Sequence, residues 1–171
     1  GRLRRAFLAL GLACDALDTG WCEWRLNVMQ PEASIFRAPP PGGSLEFLQR
    51  TQTEKGPFRI FRLEPARSQF RGVLPPATAS IYGLEDALGF DSLNLDRYAD
   101  LLGAIDPEIG LRRGNFRGTR DASTLDSPLL DLLNVRYVLA EPEAAGLAIP
   151  GLALAHASDL AIFENRDLLP R

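Results

Sequence analysis

Histidine, lysine and cysteine are nearly absent from these 171 residues: His156 and Lys55 stand alone, and Cys14 and Cys22 are the only thiols. A closed zinc site takes four Cys or His ligands, more than this chain has to give. Neither a metal nor a cofactor is expected. A Ser-His-Asp or Cys-His system would have to use His156, which falls in a segment that reads as a hairpin turn, and no Gly-x-Ser-x-Gly elbow occurs. No catalytic residue is assigned. A phosphate-binding Gly-x-x-x-x-Gly-Lys loop and a Gly-x-Gly-x-x-Gly fingerprint are also missing, so nucleotide chemistry has no anchor. The longest apolar run is Ala6 to Ala13, far short of the roughly 20 residues that cross a bilayer. Charge of one sign is lacking too: 19 basic against 22 acidic side chains give a net charge of −3, which argues against a nucleic-acid partner.

What is present suits a folded domain. Hydrophobic residues make up 46% and charged residues 24% of the chain. At this length roughly 70% of the unfolded surface is buried, so the core needs no metal or disulfide to hold it. Cys14 and Cys22 lie eight apart across a strand and turn. They are compatible with a disulfide in an oxidising compartment or with two free thiols, because spacing alone does not fix Cβ geometry.

The periodicity places a buried strand at 6–14 and an irregular, proline-rich stretch at 21–43. Ser44 is expected to cap a short helix over 45–52, and Phe58 to Leu63 reads as a strand with Arg59 and Arg62 at its margins. Residues 64–93 carry Pro65, Pro75 and Pro76 and read as a long connection. A helix capped by Asn94 follows, with Leu95, Tyr98, Leu101 and Leu102 on one stripe and Gly103 at its end. Residues 106–124 read as a loop, and a brief helix capped by Asp126 or Ser127 has Pro128 at its first position and ends at Asn134. Val135 to Ala140 is the clearest strand, being β-branched and aromatic. A hairpin of 152–155 with 160–165, turning around His156 to Asp159, completes the chain. This order implies an α/β fold: a mixed, partly parallel sheet with packed helices and a C-terminal antiparallel hairpin, with α+β as the alternative.

Two segments carry candidate chemistry. In 81–98, Tyr82, Glu85, Asp86, Asp91, Asp96 and Arg97 surround Gly83 and Gly89. Paired carboxylates can serve as general acid and base, while Asp and Gly equally serve turns and caps. In 111–120, Arg112, Arg113, Arg117 and Arg120 accompany Phe116 and suit a phosphate, or a solvated loop balanced by Asp106, Glu108 and Asp121. The residues these two segments offer to a ligand are Tyr82, Asp86, Asp91, Arg97, Arg112, Arg113 and Arg117.

Several motifs follow one another in order: Phe58-Arg59-Ile60; Pro76-Ala77-Thr78 running to Tyr82-Gly83; Gly89-Phe90-Asp91-Ser92-Leu93 with Arg97-Tyr98; Leu132 to Leu139 (LLNVRYVL); and Phe163-Glu164-Asn165 with Leu169-Pro170-Arg171. In this the chain resembles the first part of the large extracytoplasmic region of YfhO-type bacterial multi-pass membrane proteins. One departure is that Asn27 and Pro31 are separated by three residues where that family usually has an Asn-Pro pair. The resemblance implies a GT-C glycosyltransferase-like parent that takes sugars from polyprenyl-phosphate donors in cell-envelope glycosylation. The aspartate such enzymes use lies between membrane helices, so the resemblance carries no catalytic residue onto this chain. It implies instead a non-catalytic soluble domain over 1–171, excised from the larger protein and cut short on its C-terminal side, which positions an acceptor or covers the active site. Its partners would be the membrane-spanning part of its own parent chain and a glycan or lipid-linked sugar.

The alternative is a free-standing periplasmic binding lipoprotein or small hydrolase, suggested by Arg2, Arg4 and Arg5 ahead of an apolar stretch ending at Cys14. The upstream coding sequence separates the two. Many apolar stretches of about 20 residues favour the first, and an initiator Met a few codons before Gly1 favours the second.

Overall fold

In the computed structural model, residues 42–64, 74, 78–89, 95–110 and 118–169 are described, and all belong to the unit Pro39–Arg171. The strand expected at 6–14, both cysteines and the cap at Asn94 lie outside them. The chain runs α1 (Ser44–Lys55), β1 (Arg59–Arg62), a 3-10 turn (Ala79–Tyr82), β2 (Glu85–Asp86), α2 (Asp96–Ile105) and α3 (Pro107–Gly110). A second 3-10 turn (Ala122–Asp126), α4 (Pro128–Leu132), β3 (Val135–Ala140), a third 3-10 turn (Pro142–Gly146), β4 (Leu152–Ala157) and β5 (Ala161–Asn165) follow.

The five strands form one mixed sheet in the order β2-β1-β3-β5-β4. β2, β1 and β3 are parallel, and β3, β5 and β4 are antiparallel. The α/β class read from the sequence is the one observed. Both faces are covered: Phe61, Val138 and Phe163 pack with Leu102, Ile105 and Leu130 of α2 and α4, while Ile60, Tyr137, Leu139 and Ile162 pack with Leu48 of α1. Each such side chain contributes about 1.5–3 kcal/mol on burial. A register shift opposite Arg59 and Ile60 gives β3 one extra residue. A bulge reverses the alternation of side chains, which is why Val135 and Tyr137, two apart, pack into opposite clusters.

Several local expectations are corrected. Ser44 is the first residue of α1 rather than its cap, and Gly43 occupies the capping position without a side-chain hydrogen bond. The Ser44 hydroxyl instead accepts from Leu160 N–H at 3.1 Å, tying the helix to the β4–β5 turn. At the other end Gly56 takes φ 83°, a region that disfavours residues with a Cβ, and closes the helix with an N–H bond to Gln52 O. Gly103 lies inside α2, and Leu95 precedes that helix with 77% of its surface exposed. The buried stripe is Ala99, Leu102 and Ile105. The connection 64–93 is not free of elements, since β2 pairs beside β1 within it. His156 lies in β4, not in a turn. Arg62 is not marginal: it is fully buried.

The short helix α4 forms as read, with the Ser127 side chain accepting from Leu129 N–H and Pro128 in its first turn. Asn134 ends it at φ 58°, a left-handed conformation that Asn tolerates better than most residues.

On the α1 side of the sheet, Glu164 of β5 meets Lys55 Nζ at 2.8 Å and Arg136 at 3.5 Å. The hydrogen bond to Glu164 raises the Lys55 ammonium above its ordinary 10.5. Burial alone would raise the Glu164 carboxyl, but Lys55, then Arg136 and Tyr137, outweigh it and hold it below 4.5. Glu164's contribution is therefore present above pH 4.5 and lost as pH falls through its lowered value, and that of Lys55 is lost as pH rises through its raised value. Lys55→Met is expected to flatten both wings of a stability-against-pH curve while costing under about 1 kcal/mol at neutral pH, because the ammonium is exposed. Unchanged wings in urea titrations would show that the pair does not set them.

Candidate ligand cavity at the carboxyl ends of β1 and β3

From β1 the chain crosses to β2 on one side, then returns past β1 to β3 on the other. The chain thus leaves β1 to one side and enters β3 on the other, which makes the carboxyl ends of these two strands a topological switch point, the place where open α/β sheets form ligand crevices. A cavity of about 320 Å³ lies there. Leu63 and Glu64 line it from the end of β1 and Ala140 and Glu141 from the end of β3. Glu143, Ala144 and Leu147 come from the 3-10 turn after β3 and the residue following it, and Arg120 and Ala122 from the segment leading to α4. Small and aliphatic side chains supply most of the wall, and charged groups supply its polar points. Such a composition is usual for small-molecule sites.

Residues 118–121 reach the cavity because they extend the parallel pairing of β1. Leu63 and Thr119 form a parallel bridge, and Glu64 N–H donates to Thr119 O at 2.8 Å. Gly118 permits this approach, because a Cβ there would stand 2.2 Å from the carbonyl oxygen of Arg62. The buried Thr119 hydroxyl donates to Asp106 at 2.6 Å, which anchors the segment to the end of α2. Glu64 is only 7% exposed. Its Oε1 accepts one long hydrogen bond from Gly118 N–H, at 3.3 Å.

Next to the cavity wall sits a second charged group. Arg62 Nη2 lies 3.0 Å from Asp86 Oδ2, and Nη1 donates to Leu74 O at 2.8 Å. Burial pushes the Asp86 carboxyl above its ordinary 3.8 despite the Arg62 charge and the Leu88 N–H, and the negative charge of Glu64 adds to the rise. Comparison with protein-family models, curated proteins and solved structures gives no match to this chain.

Of the contacts expected from sequence, Asp91, Arg112, Arg113 and Arg117 lie outside the described residues. Tyr82, half-buried, packs on the α1 side of the sheet and its carbonyl accepts from Gln49 Nε2 at 3.0 Å. Asp86 is committed to Arg62, and Arg97 stands exposed on α2. None of these three lines the cavity. Glu64, Glu141 and Glu143 were missed as candidates. Glu64 directly follows the Phe58–Leu63 pattern and Glu141 directly follows Val135–Ala140, so both are legible as strand-end residues. Only the parallel pairing makes their ends adjacent.

His156 also has company that its sequence position did not announce. Its ring stacks on Phe47 at 4.8 Å and Nε2 lies 2.9 Å from Ser158 Oγ. That hydroxyl donates its proton to Asp159 Oδ1 at 2.7 Å, which leaves the imidazole as donor rather than base. Asp159 in turn accepts from Ser44 N–H at 2.7 Å. The cluster caps α1 and is not arranged for nucleophilic attack.

Proposed function

We propose that this chain is a non-catalytic extracytoplasmic domain of a YfhO-type, GT-C glycosyltransferase-like membrane protein, and that it holds an acceptor for the membrane-spanning part of its parent in cell-envelope glycosylation. The observation that carries this reading is the cavity at the switch point between β1 and β3. Its aliphatic wall matches the carbon faces of a sugar ring, and the carboxylates of Glu64, Glu141 and Glu143 accept hydrogen bonds from ring substituents. The motif order from Phe58 to Arg171 supplies the membrane and glycosylation context by resemblance. The excess of carboxylates disfavours a phosphate in this cavity, which favours acceptor over lipid-linked donor.

Amide chemical-shift titration of the 171-residue chain with envelope oligosaccharides, and separately with a short-chain polyprenyl phosphate in micelles, tests the reading. Oligosaccharide is expected to move Ala122, Ala140 and Leu147, and polyprenyl phosphate to leave them in place. Oligosaccharide that moves none of them would overturn the acceptor role. The Arg-led apolar run ending at Cys14 favours the second reading, a periplasmic binding lipoprotein or small hydrolase. An initiator Met a few codons upstream of Gly1 would put that reading first.

A further inference from the structure

We infer that the cavity between β1 and β3 receives an ammonium group: its ligand is a small organic cation with an apolar body, or the amine-bearing end of a larger acceptor. The inference rests on reading this cavity as the ligand site and names the chemistry it selects. Three carboxylates, Glu64, Glu141 and Glu143, share the cavity wall with one guanidinium, Arg120. The wall itself thus carries a net negative charge, and the neighbouring Arg62–Asp86 pair is balanced and adds none.

Glu64 is the decisive residue. It is more than nine-tenths buried, yet among the described residues the single 3.3 Å contact from Gly118 N–H is the only hydrogen bond to its carboxylate. A buried carboxylate is normally paired or multiply hydrogen-bonded. An ammonium supplies three donors, no acceptor and a positive charge, which is what Glu64 lacks. Phosphate would meet repulsion. A neutral polyol would supply donors without the charge, and the aliphatic wall of Leu63, Ala140, Ala144 and Leu147 suits the carbon body that carries the ammonium.

Four probes separate the possibilities: cyclohexylammonium, its neutral counterpart cyclohexanol, myo-inositol and inorganic phosphate, each titrated into the isotopically labelled 171-residue chain at low salt. Cyclohexylammonium is expected to shift the amides of Gly118, Thr119, Ala140 and Leu147 with at least about tenfold higher affinity than cyclohexanol. That preference should shrink as salt is added. Glu64→Gln is expected to weaken cyclohexylammonium about tenfold and to leave cyclohexanol unchanged. Glu143→Gln, on the exposed turn, gives the same direction with a smaller loss and covers the case in which Glu64→Gln does not fold. Equal binding of cyclohexanol and cyclohexylammonium, or no effect of either substitution, overturns the inference. If myo-inositol alone shifts these amides, the cavity remains a ligand site and the ammonium assignment fails. If no probe shifts them, both fail.

Discussion

Asp86→Ala should destabilise the domain by about 3–5 kcal/mol, the range expected when one partner of a buried ion pair is removed. Arg62 is fully buried, and without Asp86 its guanidinium keeps, among the described residues, only the hydrogen bond from Nη1 to Leu74 O. Among the described residues its Nε and Nη2 have no hydrogen-bond partner, so no existing hydrogen bond there compensates the charge. Removing both partners should behave differently. Burial, with the negative charge of Glu64 adding to it, outweighs the Arg62 charge at Asp86 and raises its carboxyl, so the buried charge on Asp86 is costly to keep. Arg62→Met with Asp86→Leu is therefore expected within about 1 kcal/mol of the parent, or above it.

The pH dependence separates the two cases further. A carboxyl raised in the folded state takes up a proton on folding, so Asp86 withdraws stability as pH climbs from 3.8 through its raised value, and the full cost is present above that window. The double variant should lack this slope. Urea titrations from pH 3 to 7 measure both effects. A loss below about 1 kcal/mol in Asp86→Ala would mean that the guanidinium finds water or another partner.

Gly118→Ala is expected to cost about 3 kcal/mol or more, at or beyond the upper end for overpacked sites. The added Cβ meets backbone, not the end of a flexible side chain: Arg62 O at 2.2 Å and Arg62 C at 2.7 Å. Relief requires parting residues 118–121 from the end of β1. That breaks Glu64 N–H to Thr119 O and loosens the Gly118 N–H contact to the Glu64 carboxylate. Stability and cavity binding should fall together. Gly146→Ala is the matched control, since nothing lies within 4 Å of its Cβ position, and a change within about 0.5 kcal/mol is expected there. Equal stability of the two variants in thermal unfolding would show that 118–121 is not held against β1.

Much of the fold was legible in the sequence where local pattern and tertiary demand agree. Val135 to Ala140 is a strand by composition and is the central strand of the sheet. Pro128 behind Ser127 marks the start of α4 by chemistry that operates within one turn. Ser44 shows where this stops. Its hydroxyl suits a cap, yet Gly43 fills that position and the hydroxyl serves a turn more than a hundred residues away. β2 escaped notice because two residues have no period, and only pairing with β1 makes them a strand.

The candidate site divides along the same line. Sequence drew attention to clusters of like residue types, the carboxylates of 81–98 and the arginines of 111–120. Of the first, Asp86 is enclosed beside Arg62, a partner 24 positions earlier. The cavity instead gathers isolated charged residues at the ends of strands that are distant in the chain.

By itself the sequence determined the class: an α/β domain, no apolar run long enough to span a bilayer, and too few metal-binding side chains for a closed zinc site. Composition and period decide these, because burial of apolar stripes and turn chemistry act locally. Only the tertiary structure decided that Arg62 is interior and that Glu64 and Glu141 share a wall. Strand order is set by which faces pack together, and the parallel neighbours β1 and β3 bring together residues more than seventy positions apart. No local pattern encodes that adjacency.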